Sequence, residues 1–111
     1  MKYIAILGAI TVISATGAAA CPWAGGSYKG NEMGFRTEFS VNANCTEMVF
    51  QSSGSAGFQA ADTPETFALS AAGKGWQADI HGVETTLTDG GKWVHFNGPG
   101  INRELHVERE N

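Results

Sequence analysis

The chain has 111 residues, a formal net charge of −4 at pH 7, and two cysteines. A chain of this length can build one domain with one modest core. The acidic balance, with no run of basic residues, argues against nucleic acid and anionic lipid surfaces as partners.

The N-terminus has the features of a secretory signal peptide over residues 1–20. Lys2 supplies a positive n-region, residues 3–15 form an apolar h-region, and the alanines at 18–20 satisfy the small-x-small rule for cleavage. The segment is too short and too rich in small residues to make a good membrane span. We therefore predict a single mature domain over residues 21–111, periplasmic or secreted, with no membrane span.

Cleavage after Ala20 would make Cys21 the first residue of the mature chain. Lipoprotein processing also cuts before a cysteine, but it normally requires a large aliphatic residue three positions upstream, where this chain has Ala18. Export places both cysteines in an oxidising compartment, where they tend to pair. We predict a Cys21–Cys45 disulfide, with lipid anchoring at Cys21 as the alternative.

Apolar residues of the mature chain recur with period two, which indicates strands. The sequence predicts seven or eight of them, drawn from the segments at about 27–30, 34–42, 45–52, 66–72, 75–80, 83–89, 92–97 and 103–109 and from an optional segment at 56–60. The fold class is then all-β. An antiparallel meander of this length closes into a small up-and-down barrel or, alternatively, folds into a two-layer β-sandwich.

The turn residues predict a register for this meander. Paired or flanking glycines and Ala43-Asn44 are the expected hairpin loops. They predict the cross-strand pairs Trp76–Leu87, Asp79–Glu84, Leu87–Val94, Phe39–Met48, Leu105–Phe96 and Val107–Val94. This register puts apolar residues of neighbouring strands on one face, which a one-residue slip would destroy.

The apolar face offers a candidate ligand site. Phe39, Trp76 and Phe96 would point inward, with small residues such as Ala78 and Thr85 beside Trp76. A barrel of about eight strands has room for side chains or for one small ligand. The face is therefore either a filled core or a pocket for a small apolar ligand.

Two rows on the solvent face are candidate metal sites. The predicted register aligns Asp79, Glu84, Asn97 and Glu104, and oxygen ligands suit a hard cation such as calcium. It also sets His95 opposite His106, which suits zinc, copper or a pH sensor. The alternatives are solvated carboxylates screened by salt, and exposed histidines that merely face each other. We predict no cofactor.

Two tryptophans are candidate anchors for a partner. Trp93 falls on the solvent face by parity, where an exposed Trp is a common interface anchor. Alternatively, it lies flat over threonine methyl groups. Trp23, held near the Asn42–Cys45 turn by the disulfide, either recognises a partner or closes one barrel end.

The sequence does not indicate catalysis. It has no GxSxG elbow, and its carboxylate pairs would lie on a flat sheet face. We expect a monomeric, non-enzymatic exported binding protein, whose target is a small apolar ligand or one macromolecular partner on the face with Trp93, His95 and His106. The alternative is an inhibitor or accessory protein of an envelope enzyme, acting through surface loops and through Arg36 or Arg103.

Overall fold

The computed structural model describes residues 21–32, 34–53 and 62–111, which form strands and turns. The predicted signal peptide (1–20) and the optional strand (56–60) lie outside the described residues. Within them, no helix is long and apolar enough to cross a membrane. The described strands are β1 (Ser27–Glu32), β2 (Phe35–Val41), β3 (Glu47–Ser53), β4 (Glu65–Ala68), β5 (Ser70–Ala72), β6 (Gly75–Ile80), β7 (Val83–Leu87), β8 (Trp93–Gly98), β9 (Ile101–His106) and β10 (Glu108–Arg109).

These strands form two five-stranded antiparallel sheets, in the orders β10-β1-β2-β3-β4 and β9-β8-β7-β6-β5. The prediction of an all-β antiparallel meander is therefore confirmed. Consecutive strands are hydrogen-bonded neighbours within each sheet, from β1 to β4 and from β5 to β9, and the last strand, β10, returns to pair with the first. The chain thus follows the path of an up-and-down barrel, flattened into the two packed layers of a sandwich.

Two single-residue corners carry the chain from one sheet to the other. Leu69 separates β4 from β5, and Val107 separates β9 from β10. Both side chains are buried, and both backbone N–H groups are satisfied: Leu69 donates to Thr46 O at 2.8 Å and Val107 to Lys92 O at 2.9 Å. Strands that switch sheets in this way close the corners of a flattened barrel.

Alternating side chains from both sheets fill the interior. In β2, for example, Phe35, Thr37, Phe39 and Val41 are buried between more exposed neighbours. Aromatic rings run along the interior in contact with one another, through Trp23, Tyr28, Phe39, Phe50, Phe96 and Phe35. Each fully buried large apolar side chain stabilises the fold by about 1.5–3 kcal/mol.

One end of the barrel is closed by the segment before β1. Trp23 is completely buried, and its Nε1–H donates to Thr88 O at 2.7 Å. The predicted Cys21–Cys45 disulfide is present, with the two Cα atoms 6.5 Å apart, and it ties this segment to the loop after β2. Of the two interpretations of Trp23, the plug is therefore confirmed.

Most of the predicted register is confirmed, but two hairpins are wrong by two residues. Trp76–Leu87, Asp79–Glu84 and Leu87–Val94 are Cα partners as predicted. Phe39 pairs with Phe50 instead of Met48. In β9, Leu105 pairs with Val94 and not with Phe96, because Ile101 already pairs with Gly98 across a tight Pro99-Gly100 turn.

Candidate functional site

The barrel closes incompletely between its first and last strands. β10 pairs with β1 only at Lys29–Glu108 and Tyr28–Arg109, while β9 stays with β8 in the other sheet. Beyond Lys29, the remainder of β1 therefore has no strand partner on this side within the described residues. The result is a groove of about 430 Å³, here called the seam groove, lined by residues 29–32, Trp93, residues 105 and 106, and residues 108–110.

Close approach of two strands forms the inner end of the seam groove. Gly30 of β1 lies directly under the Val107 corner, so that an added Cβ would be 2.9 Å from His106 O and 2.9 Å from Leu105 Cδ2. Only glycine lets the backbone of the corner come this near. Asn31 and Glu32 continue the β1 side of the seam groove beyond this contact.

Trp93 provides the apolar wall of the seam groove. Its side chain remains 46% exposed, against complete burial for its neighbour Val94. Its ring is edge-on to His106, its cross-strand partner, with the ring centroids 5.0 Å apart. The Trp93 carbonyl accepts both the backbone N–H and the hydroxyl of Thr88, at 3.1 and 2.9 Å, so the backbone under the ring is fixed.

The basic side chains of the seam groove have polar partners, whereas two of its carboxylates do not form ion pairs. Lys29 pairs with Glu110 at 3.3 Å and with Glu38 at 3.9 Å. Arg109 lies over the Tyr28 ring, with Cζ 5.8 Å from its centroid, and donates to Pro22 O at 3.4 Å. Glu32 and Glu108 make no ion pair with any described residue. The cations of the seam groove are therefore engaged while two of its carboxylates face solvent.

The predicted histidine row is wrong, because it depended on the β8–β9 register. His95 is opposite Glu104, and His106 is opposite Trp93. The His95 Nε2–H instead donates to Asn102 Oδ1 at 2.9 Å. The two imidazoles are therefore not cross-strand partners, and the geometry proposed for a shared metal ion is absent.

The same slip breaks the predicted acidic row. Asp79, Glu84 and Asn97 are aligned as predicted, but the next residue in the row is Asn102, not Glu104. Asp79 Oδ1 also accepts the Gly82 N–H at 2.8 Å, which caps the β6–β7 turn. Within the described part of the chain, no three His, Cys, Asp or Glu side chains lie close enough together to hold a metal ion.

The residues predicted to bind an apolar ligand or to anchor a partner lie in different surroundings. Phe39 and Phe96 are buried in the packed interior. Trp76 is half-buried against the core, and Trp93 lies outside on the opposite face of its sheet. The structure therefore does not bring the four side chains into one site.

Sequence reasoning identified Trp93 and His106 but missed the other wall of their groove. Lys29, Glu32 and Glu108 come from strands that meet only when β10 returns to β1. The available signal was Gly30, a lone glycine inside a strand pattern, because such a glycine often marks the close approach of another backbone.

Comparison of the chain with protein-family models, with curated proteins and with solved structures finds no significant match.

Proposed function

We propose that this protein is an exported, non-enzymatic binding protein that recognises an extended segment of one protein partner in the seam groove. The observation that carries the proposal is Trp93, a large aromatic side chain left 46% exposed on the wall of a groove with an unpaired strand edge. The disulfide supports export, because disulfides persist in oxidising compartments. The side chains that fill the barrel favour surface recognition over an internal apolar ligand.

The chemistry of the seam groove suggests the character of the partner. The free edge of β1 beyond Lys29 can accept the backbone of an added strand, which is a common mode of peptide recognition. Trp93 would contact an apolar side chain of that strand. Glu32 and Glu108 are available for a basic residue, since the cations nearby are already engaged. The expected ligand is an extended segment with one apolar anchor and a flanking Lys or Arg.

Site-specific photocrosslinking tests this function directly. A photoreactive phenylalanine analogue placed at Trp93 in the mature protein is expected to capture a distinct envelope protein from the native host. The matched position is Val49, which is 40% exposed on the other sheet and lies outside the seam groove. Crosslinking from position 49 is expected to be absent or unselective.

Affinity for the captured partner provides the quantitative measurement. Trp93→Ala is expected to weaken binding by about tenfold or more, as truncation of an interface anchor usually does, whereas Val49→Ala leaves the Kd unchanged. Equal crosslinking from both positions, or equal Kd values for both alanine variants, would contradict the proposal. A non-covalent small molecule in the native mass of gently purified protein, retained by Trp93→Ala, would favour a carrier instead.

A further inference from the structure

The backbone of Asn31 presents both of its hydrogen-bonding groups to the seam groove. At the start of β1, the Ser27 carbonyl accepts the Glu110 N–H at 2.8 Å, and the Ser27 N–H donates to Asn111 Oδ1 at 3.0 Å. Residues two apart in a strand direct these groups to the same edge, so the N–H and C=O of Asn31 also point away from β2. β10 pairs with β1 only as far as Lys29. Asn31 therefore offers one donor and one acceptor that have no partner within the described residues.

The free edge of β1 is short, which restricts how an added strand can lie on it. The Val107 corner packs against Gly30, and β1 ends at Glu32. Only Asn31 and Glu32 are therefore open to pairing. β1 is antiparallel to both of its neighbours, and antiparallel pairing is slightly more stable per residue than parallel pairing. An added antiparallel strand meets Glu32 first and Asn31 next, and it leaves the edge at Gly30.

The outward face of Asn31 selects the side chain that the added strand places opposite it. Residues opposite each other in neighbouring strands direct their side chains to the same face of the sheet. Asn31 is exposed next to the buried Gly30, and it lines the seam groove together with the exposed Trp93. The residue opposite Asn31 would therefore have its side chain on the face where the Trp93 ring lies, so an apolar side chain is expected at this position.

Glu32 provides charge complementarity for the preceding residue of the added strand. The Glu32 carboxylate forms no ion pair with any described residue. Arg103 lies over Phe35, the cross-strand partner of Glu32, and makes no ion pair with Glu32. Glu108 is also without an ion pair, but it is opposite Lys29, at a level that the added strand does not reach. A Lys or Arg opposite Glu32 would form a cross-strand ion pair.

Given the proposed function, on which this inference rests, we propose that the partner segment adds to β1 as an antiparallel strand with a basic–apolar pair in that order. The Lys or Arg lies opposite Glu32. The apolar residue follows it, exchanges two backbone hydrogen bonds with Asn31, and contacts Trp93 with its side chain. A segment with the apolar residue first would match a parallel strand instead, so the order of the two residues reports the direction of the strand.

Two capped heptapeptides of equal composition test the order of the pair. The first is Thr-Ser-Thr-Lys-Leu-Thr-Ser, acetylated and amidated at its ends, and the second exchanges its Lys and Leu. In ¹⁵N NMR titrations of the disulfide-bonded mature protein, the first peptide is expected to bind about tenfold more tightly and to slow hydrogen exchange of the Asn31 amide. N-methylation of its leucine removes the N–H that donates to the Asn31 carbonyl, and should abolish binding to the unchanged protein.

Two substitutions at Asn31 separate its backbone from its side chain. Asn31→Pro removes the N–H without breaking a bond to β2, because an edge strand tolerates proline where its N–H faces solvent. Asn31→Ala keeps the N–H and removes only the side chain. Asn31→Pro is expected to keep the wild-type Tm and to lose peptide binding, whereas Asn31→Ala is expected to bind the first peptide as the wild type does.

Two substitutions of carboxylates locate the basic residue. Glu32→Gln is expected to weaken binding of the first peptide by about threefold, through loss of the cross-strand ion pair. Glu108→Gln removes the same charge from the same groove and is the matched control. It is expected to leave the Kd nearly unchanged.

Each contrary result overturns the inference. Tighter binding of the second peptide would make the added strand parallel, and no binding of either peptide at millimolar concentration would remove the motif. Binding that survives leucine N-methylation or Asn31→Pro would show that the edge of β1 is not used. A larger effect of Glu108→Gln than of Glu32→Gln would move the basic residue to the other end of the seam groove.

Failure of the proposed function gives a different pattern. Capture of one partner from position 93, without the peptide preferences, would keep the seam groove as the partner site and reject only the direction and order of the added strand. Absence of capture from position 93 would reject the partner site itself.

Discussion

At the scale of single residues, Tyr28 links the N-terminal plug to the barrel. Its ring packs between Trp23 and Phe39, with centroids 4.9 and 5.1 Å away, and its hydroxyl donates to Trp23 O at 2.9 Å. Burial raises the pKa of this phenol above its ordinary range, and the positive charge of Arg109 lowers that pKa in part. The neutral phenol is therefore the form that the folded protein prefers.

Alkaline titration tests this preference. Because the pKa is raised in the folded state, the stabilisation by Tyr28 is complete below the unfolded pKa of about 10 and is lost as the pH rises through the folded value. Tyr28→Phe should be less stable than the wild type by about 1 kcal/mol at pH 8, through the lost hydrogen bond. The difference should shrink or reverse at pH 11. Urea denaturation at both pH values measures it, and an unchanged difference would contradict the assignment.

At the scale of elements, the loop between β2 and β3 explains the first register error. The sequence predicts a tight turn at Ala43-Asn44, which would pair Phe39 with Met48. Instead, Asn42 Oδ1 accepts the N–H groups of Thr46 and Glu47 at 2.8 and 3.1 Å, and Cys45 takes a left-handed φ of 60°. The side chain of Asn42 thus holds a wider loop, with Val41 and Met48 as its closing pair.

Asn42→Ala should therefore destabilise the protein more than the same substitution at the neighbouring Asn44. The substitution leaves two loop N–H groups without their acceptor, and we expect a loss of about 1–2 kcal/mol in the free energy of unfolding. Asn44→Ala, in the same exposed loop, is the matched control, since no hydrogen bond of its side chain is formed within the described residues. Chemical denaturation of both variants measures the difference. Equal stabilities would mean that the disulfide alone sets the loop.

The alternation of side chains along each strand explains why the sequence predicted the face of each residue but not always its cross-strand partner. A shift of two residues keeps every side chain on its own face, so Met48 and Leu105 are buried as expected even though their partners differ. The face of a residue is thus readable from alternation. Its cross-strand partner depends on loop length, which a side chain such as Asn42 can change. The predicted pairing of His95 with His106 is wrong for the same reason, because the turn between β8 and β9 is shorter than expected.

At the scale of the whole molecule, the seam groove depends on how the barrel closes. The seam groove exists because β10 pairs with β1 at only two residue pairs. The Val107 corner packs directly against Gly30. Local turn chemistry carries no information about a contact between the first and last strands. The outward position of Trp93 followed from parity, but the opposite wall of its groove did not.

Gly30→Ala tests the closure itself. The new Cβ would meet the carbonyl oxygen of His106, a backbone atom that cannot turn away, so we expect a loss of about 1–3 kcal/mol. Gly90→Ala is the matched control, because a Cβ there meets no atom within 4 Å and its φ is not positive. Thermal denaturation compares the two. Equal Tm values would show that the Val107 corner does not pack against Gly30 in solution.

The joining of β10 to β1 also has a consequence for the order of events during folding. Asn111 Oδ1 accepts a hydrogen bond from the backbone N–H of Ser27, which lies 84 positions earlier in the chain. The Tyr28–Lys29 part of β1 therefore gains its second strand partner only when β10 is available. Pairing over such a separation is slow, because the entropy of closing the loop is lost before the new contacts stabilise the chain. Closure of β10 onto β1 is therefore expected to be a late step of folding, after the local hairpins of each sheet have formed.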